Sequence, residues 1–297
     1  MNDNSIIPEG VHIDQLEEIG KGSTATVYRL DEQHVLKVYD RPRYRNRPDF
    51  VEREAAVSHA TALAGLPVPD SHGVGTVDGF LCAVYDLIKG DSLGDVILKD
   101  PSTLKVWAGR MAQLAKQIHS LDATDDVFTP VRMITKLYPY IELNIDGESM
   151  QRFKDLAEAV SGGDKMVHTD FHFDNVLVDE GELRLIDAGG MSCGHPVYDL
   201  LSMYRRAYFP KETRSKLTPE QNRQFYECFL DAYFGDRLTA YARELLDDVT
   251  AFLTRCIRIG VPFAEGRGDR NAFKELLTTD PGTMRGRFSE LDSLIFS

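Results

Sequence analysis

The sequence HTDFHFDNVLV at residues 168–178, followed closely by LIDAGG at residues 185–190, decides how this chain is interpreted. Asp170 and Asn175 have the spacing D-x-x-x-x-N, and a glutamate–glycine turn separates the strand pattern after Asn175 from the one that leads to Asp187. An isolated aspartate after a strand is usually a turn residue or a helix cap. Three such polar residues arranged around one hairpin indicate a functional site instead.

A glycine-rich segment, GKGSTATVY at residues 20–28, lies upstream between two strand patterns. Gly20 and Gly22 provide the flexibility and the free backbone N–H groups that a phosphate-covering hairpin needs. The segment is not the GxxxxGK[ST] loop of P-loop enzymes, and taken alone it indicates only a turn. Lys37 follows in the next strand, where its ammonium group could reach phosphates, and Glu54 follows on a helix that could hold this lysine.

Apolar and β-branched residues divide the chain into a strand-rich first part and a helix-rich second part. Residues 16–39 read as three strands, and residues 49–64 have helical spacing. The change in composition comes near Leu87, so the predicted domains are 1–87 and 88–297. The apolar side of the first helix is predicted to carry Phe50, Ala56, Val57 and Ala60.

Two helix signals stand out in the second part. Apolar residues recur at helical spacing over residues 104–121, which predicts an amphipathic core helix. Thr218, Pro219 and Gln221 have the order of an N-cap, a first helical proline and the third position of a capping box. They predict a helix that begins at this point.

The composition is that of a globular chain, with 42% hydrophobic and 27% charged residues among 297. A net charge of −13 argues against nucleic-acid binding, which needs a basic face, and it is compatible with a cationic partner. No window approaches the roughly 20 apolar residues that span a bilayer, and no signal-peptide pattern opens the sequence. We therefore expect no membrane partner and a cytoplasmic location. The four cysteines are scattered and are expected to be reduced, and the oligomeric state is left open.

Seven ordered motifs carry a resemblance to a known family: IGKGSTATVY, LKVY, REAAV, DLIKGDSL, HTDFHFDN, LIDAGG and PVYDL. Over roughly residues 16–205 the chain resembles the aminoglycoside phosphotransferase and choline kinase-like family of the protein-kinase-like superfamily. Three departures change no catalytic atom. Ala25 stands where a protein-kinase loop has its third glycine, Thr169 replaces a typical glycine, and Phe173 and Asp174 replace a frequent proline–glycine pair.

The resemblance implies an α+β, two-lobed fold, with a small antiparallel β-sheet lobe that has one helix and binds nucleotide, and a larger, mostly helical lobe that binds the acceptor. It implies transfer of the γ-phosphate of ATP, with Mg²⁺, to a hydroxyl group. Asp170 would orient or deprotonate this hydroxyl, while Asn175 and Asp187 would hold Mg²⁺ on the phosphates. The predicted nucleotide-binding residues are Gly20, Gly22, Ser23, Thr24, Val27, Lys37, Glu54, Asp86 and Ile88, of which the last two belong to the hinge that meets adenine.

Four further residues near this site are assigned a supporting role or a role that stays undecided. Glu52 is a rival to Glu54 as the partner of the lysine. By the resemblance, His168 braces the catalytic loop and Asp199 supports it through buried hydrogen bonds. His172 either lies near the acceptor or only packs.

The identity of the acceptor is predicted only as a class. The short segment 188–198 joins Asp187 to Asp199 and leaves no room for an activation loop that ends in A-P-E, which favours a small-molecule hydroxyl, in an aminoglycoside-like compound, an amino alcohol or a sugar. A protein Ser/Thr kinase and a nucleotide-binding pseudokinase that acts as an interaction module are the alternatives. The acceptor pocket is expected in residues 208–263. Among the acidic residues of this region, those that could meet ammonium groups are Asp231, Asp236, Glu244, Asp247 and Asp248.

Overall fold

The computed structural model of the chain describes residues 7–265 and 267–296. These residues belong to two units that differ from a simple division of the sequence. The first unit contains the chain up to Lys99, together with Asp125–Phe128 and Phe173–Met191. The second contains Asp100–Thr124, Thr129–His172 and the chain from residue 192 onward.

The first unit is built on an antiparallel sheet whose strand order is β1-β2-β3-β5-β4. Its strands are β1 (Glu17–Lys21), β2 (Thr26–Arg29), β3 (His34–Val38), β4 (Ser71–Val77) and β5 (Phe80–Asp86). In this register Lys37 lies opposite Val27 on one side and Ala83 on the other. Lys37 is thus placed in the centre of the sheet, on the strand between the glycine-rich hairpin and β5.

Helix α1 (Pro48–Leu63) packs on β4 and β5. Val51 and Ala55 of this helix join a buried cluster with side chains from the strands. The opposite face of the sheet has its own cluster, against which Val11 and Leu16 from the start of the chain pack. Both faces of the sheet are therefore covered, which explains why β3 and β5 are rich in apolar residues rather than strictly alternating.

A second, three-stranded sheet in the first unit has the order β6-β8-β9. It is formed by β6 (Asp91–Ser92), β8 (Val176–Asp179) and β9 (Glu182–Leu185), and helix α2 (Leu93–Lys99) follows β6. Glu180 and Gly181 connect β8 to β9 with φ angles of 50° and 83°. Two successive positive φ angles are those of the tight hairpin turn that the glutamate–glycine pair predicted.

The second unit is mostly helical. Its elements are α3 (Leu104–His119), α4 (Tyr138–Ile141), α5 (Gly147–Ala159), β7 (Lys165–Val167), β10 (Ser192–Gly194), α6 (Val197–Tyr208), α7 (Pro219–Phe234), α8 (Ala240–Ala264), α9 (Arg270–Leu276) and α10 (Pro281–Phe296). Helix α7 packs against α3 and α6, and β7 pairs with β10 in antiparallel fashion. Within the described residues, no helix is both long and apolar enough to cross a membrane.

Local signals placed several of these elements correctly. The predicted helix over residues 104–121 is α3. Thr218 accepts a hydrogen bond from the backbone N–H of Gln221, whose side chain accepts one from the backbone N–H of Thr218, so the predicted capping box is present at the start of α7. The predicted α+β kinase-like fold class is confirmed. The functional division at Leu87, into 1–87 and 88–297, stays a prediction.

One residue of the predicted apolar side of α1 was placed wrongly. Val57 is buried as expected, but Ala56 is exposed, and the buried side also carries Val51, Glu54, Ala55 and Ser58. The helix turns Glu54 inward because this carboxylate has a buried cationic partner, and a buried pair of opposite charges outweighs the preference of one alanine for the core.

Candidate active site

Lys37 is held by two carboxylates of the first unit. Its Nζ donates to Oε1 of Glu54 and, at 2.9 Å, to Oδ1 of Asp187. The Glu54 side chain is 8% exposed and that of Asp187 is 53% exposed, so one partner fixes the lysine from the buried side and the other from the open side. Glu52, the rival partner, is exposed on the outer face of α1.

The charge of Lys37 is secure despite its burial. Burial lowers the pKa of the ammonium group, but the charges of Asp187 and Glu54 outweigh this and hold the pKa above its ordinary value. Lys37 is therefore protonated at neutral pH. Two carboxylates face one ammonium group, and this leaves the cluster with a surplus negative charge that a cation can neutralise.

Asp187 reaches this position through an unusual backbone conformation. Its φ of 61° and ψ of 36° lie in the left-handed region, which costs a non-glycine residue energy and often occurs at functional sites. The chain then passes close to α1 at Gly189. A Cβ atom on Gly189 would lie 1.8 Å from Cγ of Glu54, so only glycine allows this approach.

A cavity of about 750 Å³ lies within the first unit. Every residue that was predicted to bind nucleotide or metal lines it. These residues are Gly20, Gly22, Ser23, Thr24, Val27, Lys37, Glu54, Asp86, Ile88, Asn175 and Asp187. The volume is in the range of small-molecule sites. The structure thus brings these residues together, including the two that follow more than 70 residues after the hinge.

The cavity also has apolar walls that the sequence analysis missed. They include Ile19, Val35, Leu177 and Ile186. Val35 could have been found, because it lies two residues before Lys37 on β3 and strand alternation places both on the same face. Apolar walls with a few charged groups on one side suit a ligand that has a flat ring and an anionic tail.

Asn175 and Asp187 stand at the open end of the β8–β9 hairpin. The backbone N–H of Ile186 donates to the carbonyl oxygen of Asn175 at 2.8 Å, which continues the ladder and fixes the two chain ends side by side. Both side chains line the cavity. Amide and carboxylate oxygens are hard donors of the kind that Mg²⁺ takes in proteins, so these residues fit that ion.

Asp170 lies in the second unit, in the loop after β7, and α6 holds this loop. The buried Asp199 carboxylate accepts the backbone N–H of His168 at 2.9 Å and that of Thr169 at 2.6 Å. Its Oδ2 also lies 3.0 Å from Nε2 of His119. Thr169 has a φ of 67°, which is rare for a β-branched residue, so the loop conformation depends on this carboxylate.

Two further residues of α6 face the same loop. Ser202 donates through Oγ to the carbonyl oxygen of Thr169 at 3.2 Å, and Arg206 donates through Nη2 to Nε2 of His172 at 2.8 Å. Arg206 was missed by the sequence analysis. Asp199, Ser202 and Arg206 follow each other at helical spacing and so share one face, which is the signal that could have identified Arg206.

The surroundings of Asp170 keep it ionised. Burial raises the pKa of its carboxyl group. The contact with His172, whose Nε2 is 3.4 Å away, and the charges of His168 and Arg206 lower this pKa by a larger amount, so it lies below its usual value. The side chain is nevertheless 67% exposed and so accessible. Nε2 of His172 thus lies within reach of both the Arg206 guanidinium group and the Asp170 carboxylate, and Arg206 positions the ring.

Comparisons with known proteins concern the family and the fold of this chain. The model of the phosphotransferase enzyme family, APH, matches residues 15–245. No curated protein matches the sequence significantly. Among solved structures, the ADP-bound aminoglycoside phosphotransferase APH(2'')-Ib has 18% identity over 91% of this chain and 94% of its own, with a TM-score of 0.59.

Two other solved structures have a similar fold. The ternary complex of streptomycin, ATP and APH(2'')-IIa has 18% identity, with coverage of 91% of this chain and 93% of its own and a TM-score of 0.55. The amicoumacin kinase hAmiN, in complex with AMP-PNP, Ca²⁺ and Ami, has 15% identity, with coverage of 94% and 89% and a TM-score of 0.56. The family match covers more than half of the chain and confirms the predicted resemblance, so this protein belongs to the APH phosphotransferase enzyme family.

Proposed function

We propose that this protein transfers the γ-phosphoryl group of ATP, with Mg²⁺, to a hydroxyl group of a small molecule. The observation that carries the proposal is Lys37, which is held between Glu54 and Asp187 inside the cavity of the first unit. A lysine fixed by a helix glutamate, beside an aspartate with a hard oxygen, is the arrangement that kinases use for nucleotide phosphates.

The cavity supports binding of the nucleotide in one orientation. The phosphates would meet the backbone of the glycine-rich hairpin at residues 20–24 and the ammonium group of Lys37, while the adenine edge would meet the hinge at Asp86 and Ile88. Asn175 and Asp187 would hold Mg²⁺, which neutralises charge on the phosphate oxygens.

Asp170 is the proposed base. Its lowered pKa keeps it a carboxylate at neutral pH, and its exposure leaves it open to an acceptor. In a loose transition state the hydroxyl proton moves late, so the main task of Asp170 is to orient the acceptor oxygen and then to take the proton as the phosphate bond forms. The supports from α6 fix the position that this role needs.

A cationic acceptor is favoured by one acidic group of the second unit. Asp231 lies 3.6 Å from an arginine nitrogen and Asp248 pairs with another arginine, but the carboxylate of Asp247 makes no hydrogen bond or ion pair with any other described residue. Burial raises the pKa of Asp247, which indicates poor solvation. Tyr204 and Tyr208 lie close enough for its charge to affect them. Aromatic rings beside an unpaired carboxylate suit an ammonium group.

The acceptor class is the finer part of the proposal. A streptomycin complex is known for APH(2'')-IIa, which has this fold, and we extend the class to aminoglycoside-like compounds, amino alcohols and sugars. The connection between Asp187 and Asp199 holds only a short turn, β10 and the first residues of α6, which supports a small acceptor rather than a protein.

The experiment that tests the proposal is a Mg·ATP turnover assay against a panel of aminoglycosides, amino alcohols, sugars and a generic protein substrate. Asp170→Asn removes the proposed base, and Asp164→Asn is the matched control, an exposed aspartate of the same unit. We expect one small-molecule class to be phosphorylated by the wild type and the control but not by Asp170→Asn. Transfer to the protein substrate alone would contradict the proposal in favour of a protein kinase, and tight ATP binding without transfer to any acceptor would favour the pseudokinase.

A further inference from the structure

Three side chains that can ligate a metal, His34, His72 and Asp86, lie together at one end of the sheet in the first unit. Each offers one ligand atom, and these atoms all lie within 4.8 Å of one another. Within residues 7–265 and 267–296, no other group of three histidine, cysteine or acidic side chains comes as close. The cluster is distinct from the oxygen donors Asn175 and Asp187.

The strand register creates this cluster. His34 and Asp86 are direct partners across β3 and β5, so their side chains stand on the same face of the sheet, about 4.5–5.5 Å apart at Cβ. A β-bulge between Ser71 and Gly73 leaves His72 as the extra residue of β4, and bulges re-aim side chains in this way. The ring of His72 meets that of His34 edge-on, with 4.9 Å between the centroids, and its Nε2 lies 2.6 Å from Oδ1 of Asp86.

Two neighbouring groups orient the possible ligand atoms. Both carboxylate oxygens of Asp31 lie within hydrogen-bond distance of Nδ1 of His34, at 3.0 and 2.9 Å. A carboxylate accepts, so the proton of His34 lies on Nδ1 and Nε2 carries the lone pair that can bind a metal. Oδ2 of Asp86 accepts the backbone N–H of Asp70 at 2.9 Å, which turns Oδ1 toward His72. A carboxylate behind a ligating histidine is the usual support of a protein metal site.

We propose that His34, His72 and Asp86 bind a transition-metal ion of the Zn²⁺ type, with water as the fourth ligand. Two imidazole nitrogens and one carboxylate oxygen form the ligand set of open zinc sites, whereas Mg²⁺ prefers oxygen alone. Zinc–ligand bonds of about 2.0–2.2 Å in a tetrahedron separate neighbouring ligand atoms by about 3.3–3.5 Å. This is wider than the 2.6 Å contact of His72 with Asp86 and narrower than the 4.8 Å within which all three ligand atoms lie, so the ion takes the place of that hydrogen bond after side-chain shifts of about 1 Å.

The position of the site gives the ion a structural effect. It joins β3, β4 and β5 where the backbone N–H of Leu87 donates to the carbonyl oxygen of Gln33 at 2.7 Å, and Asp86 also lines the cavity. An ion bound only by the folded protein stabilises it by mass action. Zn²⁺ is therefore expected to raise the melting temperature of the protein and to stiffen the strand end that leads into the hinge.

The test is a calorimetric titration of Zn²⁺ into the full-length, nucleotide-free protein with Mg²⁺ in excess, so that oxygen-only sites are already filled. The variants are His34→Ala and His72→Ala, with His12→Ala as the matched control. His12 also pairs with an aspartate, Asp78 at 2.8 Å, but at the opposite end of the β4–β5 hairpin. Each variant is first checked by circular dichroism for a folded spectrum.

We expect the wild type and His12→Ala to bind one Zn²⁺ and to gain melting temperature from it, and both cluster variants to lose affinity by more than 100-fold. Asp31→Asn keeps the side-chain oxygen that accepts the backbone N–H groups of Gln33 and His34 but loses the charge behind the His34 ring, and its Zn²⁺ affinity should fall about 10- to 100-fold. Co²⁺ should give the intense visible absorption of a tetrahedral site in the wild type and His12→Ala but not in His34→Ala or His72→Ala. Equal Zn²⁺ affinity in the wild type and in the two cluster variants would overturn the proposal. Because no turnover is measured, failure here would leave the proposed phosphotransfer untouched.

Discussion

Replacement of Asp199 tests whether one buried carboxylate holds the catalytic loop. Asp199→Ala leaves the backbone N–H groups of His168 and Thr169 without their acceptor, and each unpaired buried donor costs about 1–3 kcal/mol. The expected loss of unfolding free energy is thus about 4 kcal/mol, or roughly 8–16 °C in melting temperature. Asp199→Asn keeps one acceptor oxygen and should lose about half as much free energy, about 2 kcal/mol.

The same substitution should also affect turnover. The left-handed conformation of Thr169 costs about 1–3 kcal/mol and persists only while the loop is held. Once Asp199 is gone, the loop relaxes and Asp170 moves, and a displacement of about 1 Å is enough to reduce turnover about 100-fold. The rate of amide hydrogen exchange should increase at His168 and Thr169, while the exchange rates in the rest of the second unit change little.

Urea unfolding, hydrogen exchange and turnover are measured together for this test. Asp164→Ala is the matched control, because this aspartate is exposed, lies in the same unit and outside the expected acceptor pocket, and should change the unfolding free energy by at most about 0.5 kcal/mol. If Asp199→Ala unfolds within about 1 kcal/mol of the wild type and the exchange rates are unchanged, the loop is held by something other than this carboxylate.

Three further substitutions test other parts of the structure. Gly189→Ala should lower the kcat/KM for ATP at least tenfold. The new Cβ atom would lie 1.8 Å from Cγ of Glu54 and would displace this side chain from Lys37. Glu54→Gln should have a similar effect on steady-state kinetics by removing the buried charge that holds the lysine. Burial lowers the pKa of His195 to about 3, and the opposing charge of Asp292, 3.1 Å away but 52% exposed, is screened by solvent. The folded state therefore keeps this histidine neutral, and its stabilisation, complete above about pH 6.5, is lost as the pH falls toward 3. The difference in unfolding free energy between the wild type and His195→Asn should shrink by about 2 kcal/mol from pH 6.5 to 5 in urea titrations.

Matched variants separate these effects from general damage. Gly109→Ala, on α3, adds a methyl group where nothing lies within 4 Å and should be neutral or slightly stabilising. Glu52→Gln changes the exposed neighbour of the buried glutamate and should leave the kinetics unchanged. Equal kinetic loss in Glu52→Gln and Glu54→Gln, or wild-type kinetics for Gly189→Ala, would contradict the role given to close packing at α1. A constant free-energy gap for His195→Asn across the pH range would contradict its neutral state.

Much of the fold could be predicted because its signals are local. The glutamate–glycine turn, the capping box at Thr218 and the spacing over 104–121 each depend on residues within a few positions of one another, and tertiary packing preserved all three. The candidate nucleotide residues could likewise be chosen one motif at a time. That they share one cavity follows from the sheet order, which no single motif contains.

The features that were missed depend on contacts between distant residues. The exposure of Ala56 is one of them, because the helix face that turns Glu54 toward a lysine on another element turns Ala56 outward, and periodicity alone does not show this. The helical spacing of Arg206 from Asp199 was visible in the sequence, but its contact with His172 of the loop was not. The left-handed backbone at Thr169 and Asp187 is equally invisible in sequence, because neither residue type favours that conformation enough to announce it.

The membership of Phe173–Met191 in the first unit has a consequence for how the protein is made. A ribosome releases the five-stranded sheet first, but the partner of Lys37 on its open side, Asp187, emerges only after helices α2 to α5 have been synthesised. During that interval Lys37 has Glu54 as a partner but not Asp187, and the cavity lacks the wall that residues 175–189 contribute. Genetic fragments that end at Lys99 should therefore yield an incomplete nucleotide site, and a working minimal fragment has to extend through Met191.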